Sequence, residues 1–227
     1  MKNIDFTELK RLSKNNQYNK NLPAKNSCDI LVALMANSEN FNELLLGSDA
    51  YTSSSLIRSE HNWLNRKDVK SLRVKSSNKL SYGQVCFIDF GKAYYSEMAY
   101  THCGLYIGKN KGKLLFIPIT SVLDSGAYHP VDNPSGDKAL RLAKVDEGFS
   151  KQCILILNDA KFISPGRIIE TYEIIDADVF KQIKMQLFGV MFPDVCREFY
   201  KQQEERDALN KQVSCLSEEI RALRQNL

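Results

Sequence analysis

The chain has 227 residues, 43% of them hydrophobic, so it can form one or two domains with a buried core and is not expected to be disordered. Its 31 basic and 27 acidic residues give a net charge of +4, milder than that of a typical strong duplex-DNA binder. No apolar run approaches the ~20 residues that cross a bilayer, and the N-terminus carries no signal-peptide pattern. The six cysteines form no CxxC pair, which argues against a structural zinc site and against a disulfide-rich secreted fold. We therefore expect a cytoplasmic protein with no membrane partner.

Residues 1–78 have the pattern of a helical N-terminal extension. Asp5 is placed to cap a first helix, and Ser27 precedes a second apolar run. Ser38 is predicted to begin a further short helix, which Gly47 ends. The pattern indicates a small helical domain or a wrapping arm, and it does not indicate a role.

Residues 79–193 change to a β-rich pattern and are predicted to form the central domain. Asp176 is predicted to cap the amphipathic helix that closes this domain, and Pro193 to end it. Short, closely spaced strands favour a small barrel or a compact sheet over βαβ units. Strands are expected at residues 85–90, 104–107, 114–119, 139–143 and 153–157. The expected class is α+β.

Residues 194–227 are predicted to form a C-terminal helix with a heptad seam. Apolar residues recur there at spacings of four and three, with β-branched side chains at one core position and leucines at the other, which favours a parallel two-stranded coiled coil. A helix docked on its own domain is the alternative. The seam consists of Leu209, Val213, Leu216, Ile220, Leu223 and Leu227.

Four segments of the central domain resemble, in order and spacing, the MazF/PemK family of toxin endoribonucleases from bacterial toxin–antitoxin systems. The resemblance covers about residues 82–192, roughly half of the chain. The segments are Y-G-Q-V-C-F-I-D-F-G, S-E-M-A-Y-T-H-C-G-L-Y-I-G, L-F-I-P-I-T-S and I-L-I-L-N-D-A-K-F-I-S-P-G-R-I. The resemblance implies an SH3-like barrel that dimerises, is neutralised by a cognate antitoxin, and cleaves single-stranded RNA without a metal or cofactor through attack by the ribose 2′-hydroxyl.

Individual positions match this family unevenly. Glu97 stands where the family has a glutamate, and His102 where it has an arginine. Thr120 and Ser121 match the end of the third strand, and Lys161 falls at the position of a later arginine. The resemblance therefore makes His102, Thr120 and Ser121 the candidate catalytic residues.

The same residues can be weighed by their own chemistry. RNA cleavage of this kind needs a proton acceptor, a proton donor and donors to the charged phosphate, and His102 suits either proton role because its ordinary pKa lies near neutral pH. Thr120 and Ser121 can donate to phosphate oxygens, while Lys92 and Lys161 supply positive charge. The alternatives are a histidine bonded to the backbone at a strand start, a threonine present for its β-propensity, and a serine that only forms a turn.

The loop from Gly91 to Thr101 is predicted to bind RNA. Tyr94, Tyr95 and Tyr100 lie beside Lys92 in this loop, and tyrosines can stack on unpaired bases. They can equally pack on the barrel. Glu97 is included among the RNA-binding candidates, with a salt bridge at the loop root as its alternative role.

Other functions are compatible with the same fold. Cys103 follows His102, but adjacent strand residues point to opposite faces, which argues against a cysteine protease. A catalytically inactive dimeric adaptor for RNA or protein is one alternative, and a topoisomerase poison is another.

Overall fold

The computed structural model describes residues 4–69, 80–122, 126–134 and 136–225. The chain divides into two compact units between His61 and Asn62. The domain boundary expected from the sequence, near residue 78, lies outside the described residues. The expected α+β class is confirmed, because helices and one antiparallel sheet make up the described structure.

The first unit is helical, as the sequence predicts. Asp5 accepts a hydrogen bond from the Thr7 amide (2.8 Å), and Ser27 accepts one from the Ile30 amide (3.4 Å). Ser38 lies inside one continuous helix, so the prediction of a separate helix beginning there is wrong. No glycine or proline lies between Cys28 and Leu46, so the backbone hydrogen bonds continue through this serine without a break. The helices are α1 (Phe6–Leu12), α2 (Gln17–Asn21), α3 (Cys28–Gly47) and α4 (Ala50–Arg66), and α4 continues into the second unit.

The second unit is built on a seven-stranded antiparallel sheet. Its strands are β1 (Gln84–Asp89), β2 (Thr101–Asn110), β3 (Lys113–Thr120), β4 (Leu140–Ala143), β5 (Cys153–Ile156), β6 (Lys161–Ile163) and β7 (Ile168–Ile174). The order is β4-β5-β3-β2-β1-β7, and β6 also pairs with β3. Within the described residues the sheet is open, with β4 and β7 at its edges, so the expected closure into a barrel is not observed.

Apolar side chains alternate along the strands and form a core on each face of the sheet. Helix α5 (Ala177–Met191) covers one face, and its Ile183 is fully buried. The core on this face, here called the helix-side core, includes Val85, Leu105, Ile117, Leu155 and Ile183. The core on the other face, here called the opposite core, consists of Cys86, Ile88, Phe90, Tyr106, Leu114, Phe116, Ile163 and Ile168.

Two helices end the chain. Asp176 caps α5 by accepting hydrogen bonds from the amides of Asp178 (2.8 Å) and Val179 (3.2 Å), as predicted. Helix α6 (Pro193–Gln225) is a single helix of 33 residues. The last residue of the expected seam, Leu227, lies outside the described residues.

Candidate nucleic-acid interface

His102 and Thr120 lie side by side on neighbouring strands. β2 pairs with β1 so that His102 is opposite Ile88, and with β3 so that Cys103 is opposite Ile119. Continuing the β2–β3 register by one residue places His102 opposite Thr120. Residues paired in this way share one face of the sheet and have Cβ atoms about 4.5–5.5 Å apart. The sheet therefore brings two of the three catalytic candidates together.

His102 is half-buried at the start of β2, on the face that carries the opposite core. Burial lowers the pKa of its imidazole below the ordinary 6.5, because a partly desolvated ring disfavours the charged form. The ring is therefore neutral at neutral pH. A neutral imidazole has one nitrogen free to accept a proton, as a general base requires.

Thr120 is the last residue of β3 and is half-buried, whereas Ser121 follows the strand and is exposed. Thr120 also pairs with Ile154 on β5, so its backbone is held between two strands. Its hydroxyl can donate a hydrogen bond from this held backbone position. Ser121 lies beyond the last residue of the strand and is not held in this way.

The loop between β1 and β2, residues 91–100, closes at its root through two backbone hydrogen bonds. The Phe90 amide donates to the Tyr100 carbonyl (2.7 Å), and the Tyr100 amide donates to the Gly91 carbonyl (2.7 Å). Tyr100 is half-buried and has a positive φ of 58°. The structure thus gives Tyr100 a place in the loop root rather than at its tip.

The tip of this loop presents two tyrosines to solvent. Tyr94 and Tyr95 are 88% and 101% exposed, so neither packs on the sheet, which was the alternative that the sequence left open. Lys92 and Glu97 are also exposed. Two exposed rings beside a lysine form a surface on which unpaired bases can stack.

Lys161 and Asp159 hold the middle of the loop. The Met98 amide donates to Asp159 Oδ2 (2.6 Å), and Lys161 Nζ lies 3.0 Å from Asp159 Oδ1. Lys161 Nζ also donates to the Met98 carbonyl (3.4 Å). The ammonium of Lys161 is therefore engaged in positioning the loop, a role that the sequence did not assign to it.

The same lysine connects the loop to the face that carries His102. Lys161 Nζ lies 5.6 Å from the centroid of the Phe90 ring. A Cβ on Gly104 would come within 3.3 Å of Phe90 Cζ, so this ring lies over Gly104, two residues after His102 on the same strand face. The histidine, the phenyl ring and the ammonium thus follow one another along one side of the sheet.

Asp89 and Arg167 form the root of the loop, and sequence reasoning missed both as site residues. Asp89 is buried and accepts hydrogen bonds from the Gly91 amide (2.9 Å) and from Asn62 Nδ2 (2.8 Å). Arg167 Nη1 donates to the Asp89 carbonyl (3.0 Å). A Cβ on Gly91 would lie 2.6 Å from the same Nη1. The D-x-G pattern and the arginine after Pro165-Gly166 were the available signals.

Burial disfavours the thiolate form of the cysteines of the sheet. Cys103 packs against the helix-side core, away from the face of His102, and burial raises its pKa. Burial also raises the pKa of Cys86 to about 12 and that of Cys153 to about 11. Since the thiolate is the nucleophile, this agrees with the argument against a cysteine protease.

Two further observations concern the whole described structure. No helix in it combines the length and the apolarity that a bilayer crossing requires. Its residues include no group of three or more His, Cys, Asp or Glu side chains placed to hold a metal ion.

The sequence matches no model of a known protein family, and no curated protein matches it either.

Proposed function

We propose that this chain is the toxin component of a toxin–antitoxin system, an endoribonuclease that cleaves single-stranded RNA without a metal on an SH3-like fold of the MazF/PemK type. The observation that supports it most directly is the β2–β3 register, whose continuation by one residue from the Cys103–Ile119 pair brings His102 opposite Thr120, next to loop 91–100. A neutral imidazole beside a hydroxyl donor supplies a base for the substrate and a hydrogen bond for its phosphate. The resemblance of the segment from Gly83 to Arg167 to the MazF/PemK family supports the same activity.

His102 acts as the general base in this mechanism. Its free nitrogen takes the proton of the ribose 2′-hydroxyl as that oxygen attacks the adjacent phosphorus. The bond from phosphorus to the 5′-oxygen breaks, and the leaving oxygen takes a proton from water. The products are a 2′,3′-cyclic phosphate and a 5′-hydroxyl. Thr120 donates to a non-bridging oxygen, where charge grows in the transition state.

Loop 91–100 holds the RNA in this proposal. Bases stack on Tyr94 and Tyr95, each contact being worth about 1–3 kcal/mol, and Lys92 contacts a phosphate. Stacking on the π-face of a base carries no hydrogen-bond readout, so this part of the site binds single strands without strong sequence preference. Ser121 and Glu97, both exposed near the strand and loop, complete the RNA-facing surface.

The resemblance to the MazF/PemK family also implies two protein partners. We propose that the chain acts as a homodimer and that a cognate antitoxin covers the RNA-binding face. A loop with two exposed aromatic rings offers an antitoxin segment the same contacts that it offers RNA.

One observation favours a second candidate, a catalytically inactive adaptor. Lys161 and Arg167, the cations beside the loop root, already bind Asp159 and the Asp89 carbonyl. His102 does not replace the forked phosphate clamp of an arginine. An adaptor would bind RNA through the loop and leave it intact.

Purified full-length protein, incubated with a mixed-sequence single-stranded RNA and a chelator, separates the two candidates. We expect cleavage with cyclic-phosphate ends, and a loss of about 10²–10⁴ in rate for His102→Ala. His61→Ala, at an exposed histidine of α4, is the matched control and should cleave normally. The Tyr94→Ala/Tyr95→Ala variant should weaken RNA binding. Binding without cleavage by the unmodified chain favours the adaptor, and failure to bind or cleave RNA contradicts both candidates.

The pH dependence of cleavage provides a further check on the role of His102. Because burial lowers its pKa, the neutral base persists below pH 6.5, and the rate should fall only at more acidic pH. The same shift implies that the unfolded chain binds this proton more readily, so folding loses stability as pH falls below 6.5. A rate that instead falls with a midpoint above pH 6.5 would contradict the assignment of His102 as the base.

A further inference from the structure

Helix α6 exposes its apolar residues along most of its length. From Arg197 to Leu223 every residue is exposed, including Leu209 at 61% and Ile220 at 51%. The alternative of a helix docked on its own domain is therefore wrong for this segment. A long helical segment that buries no side chain obtains little stability from tertiary packing, so the stripe indicates a missing partner.

The first turn of α6 packs against α5, so the start of the helix is held in place. Cys196 is buried, and a Cβ on Gly189 of α5 would lie 3.6 Å from its Sγ. Beyond this contact the heptad positions can be read without a break. With Val213 at position a, the a positions are Phe199, Arg206, Val213 and Ile220, and the d positions are Gln202, Leu209, Leu216 and Leu223.

This register extends the apolar stripe one heptad further than the sequence pattern alone indicated. Phe199 is 49% exposed at an a position, so Gln202 and Arg206 form a polar layer inside a longer seam rather than its end. From Phe199 to Leu223 the seam is about 37 Å long at 1.5 Å per residue. A polar residue at one a position typically specifies register and the number of strands.

We infer that α6 forms a parallel two-stranded coiled coil with α6 of a second copy of this chain. Val213 and Ile220 at a, with leucine at d, are the combination that favours two parallel strands. The inference concerns self-association and does not depend on RNA cleavage.

The charges flanking the seam favour the parallel orientation. The g positions are Glu205, Gln212 and Glu219. In a fully overlapped antiparallel pair, g positions face each other, and Glu205 would lie opposite Glu219 of the second copy. Like charges at these positions select against a pairing. In the parallel pair Glu205 and Gln212 face the uncharged e positions Asn210 and Ser217.

The polar layer is also compatible with the parallel pair. Position a of one helix inserts into a hole lined by the a and g positions of the other, so Arg206 would lie opposite Arg206 of the second copy and beside its Glu205, whose negative charge compensates the two like charges. Its side chain is 68% exposed on the single chain, with Nε 3.7 Å from Asp207 Oδ1, and a long side chain can leave the seam while its methylene groups stay packed. A second copy thus supplies both apolar and charged complements to the stripe.

Disulfide cross-linking of the full-length chain tests orientation and partner together. We place Leu223→Cys in a chain carrying Cys28→Ser and Cys215→Ser, which removes the two exposed thiols. In a parallel pair the two new cysteines are neighbours at one d layer. In a fully overlapped antiparallel pair they would be roughly 36 Å apart, beyond the reach of a disulfide. We expect a covalent dimer on mild oxidation.

A seam variant and a matched control identify the surface responsible. Val213→Lys/Ile220→Lys puts charge at two a positions and should weaken self-association roughly a hundredfold, with loss of the cross-link. Ser214→Lys/Ala222→Lys adds the same charge at outward b and c positions and should cross-link normally. Absence of the Leu223→Cys dimer, or equal cross-linking of the seam variant and its control, would overturn the inference, even if sedimentation shows a dimer formed through another surface.

Discussion

The sheet buries its apolar side chains, whereas helix α6 exposes them to solvent. Phe116 and Ile117 of β3 are fully buried, whereas Leu216 of α6, which is equally apolar, is 57% exposed. The sheet completes two cores within one chain, so the burial of these side chains does not require a second copy. In α6 the same kind of residue contributes only when a partner covers it, so its stability depends on concentration.

Truncating one apolar side chain in each region gives the largest expected effect. Phe116→Ala should lower the free energy of unfolding by about 3–5 kcal/mol, the usual cost of a cavity left by a buried phenylalanine. Leu216→Ala should cost much less at low protein concentration, because the side chain is exposed in the single chain. Urea unfolding at several protein concentrations measures both.

The concentration dependence makes the comparison decisive. The loss caused by Phe116→Ala should be the same at every concentration, and the loss caused by Leu216→Ala should grow as the protein is concentrated. If Leu216→Ala costs as much as Phe116→Ala in the most dilute sample, the distinction between the two regions is wrong.

Ion pairs extend the comparison to charge. Arg141 is 2% exposed and bonds Glu147 through both Nη atoms, at 2.6 and 3.1 Å, whereas the Arg197–Asp194 pair of α6 is exposed at both partners. Removing one partner of a buried pair leaves an uncompensated charge, so Glu147→Ala should cost about 3 kcal/mol. Asp194→Ala is the control and should cost little, as thermal unfolding can show.

The buried pair also predicts a pH dependence. Burial alone would raise the pKa of Glu147, but hydrogen bonds from Arg141 and the Lys144 backbone more than offset this, so the pKa lies below 4.5. Its contribution to stability is full above pH 4.5 and is lost as pH falls through the lowered pKa. Glu147→Gln should therefore flatten the acid limb of a plot of unfolding free energy against pH. A variant with an unchanged acid limb would show that this carboxylate does not contribute.

Local patterns predicted local structure well. The caps at Asp5 and Asp176 were identified because a side-chain acceptor directly precedes a helical run, and the expected strands overlap β1 to β5 because their apolar residues are contiguous. The strand β7 was not expected. Its I-I-E-T-Y-E-I sequence is rich in β-branched and aromatic residues, which favour a strand, so this signal was present in the sequence and was overlooked.

The sequence identified individual residues of the candidate site but not the contacts between them. His102 and Thr120 were chosen individually, yet their proximity comes from the β2–β3 register, which no local pattern specifies. Lys161 was predicted as an RNA contact, and the sequence did not indicate that it also bonds Asp159 and the loop backbone. Arg167 was overlooked because its partner, the Asp89 carbonyl, is 78 residues away in the chain. Contacts of this kind require the tertiary fold.

Two glycines test how tightly the loop root is built, and they give the smallest expected effect. Gly91 and Gly112 both have positive φ, 85° and 82°. A Cβ on Gly91 would lie 2.6 Å from Arg167 Nη1, whereas a Cβ on Gly112 would meet nothing within 4 Å. Gly112→Ala should therefore cost only the left-handed backbone penalty, about 1–2 kcal/mol.

Gly91→Ala should have the same left-handed backbone cost, and its new Cβ must also displace the Arg167 guanidinium from the Asp89 carbonyl. The difference in unfolding free energy between the two variants isolates that contact, worth about 1 kcal/mol for a net hydrogen bond. Combining each variant with Arg167→Ala completes the test, because the difference should then disappear if the clash is with this side chain. A difference that persists without the guanidinium would place the constraint in the backbone of the loop and not in its contact with Arg167.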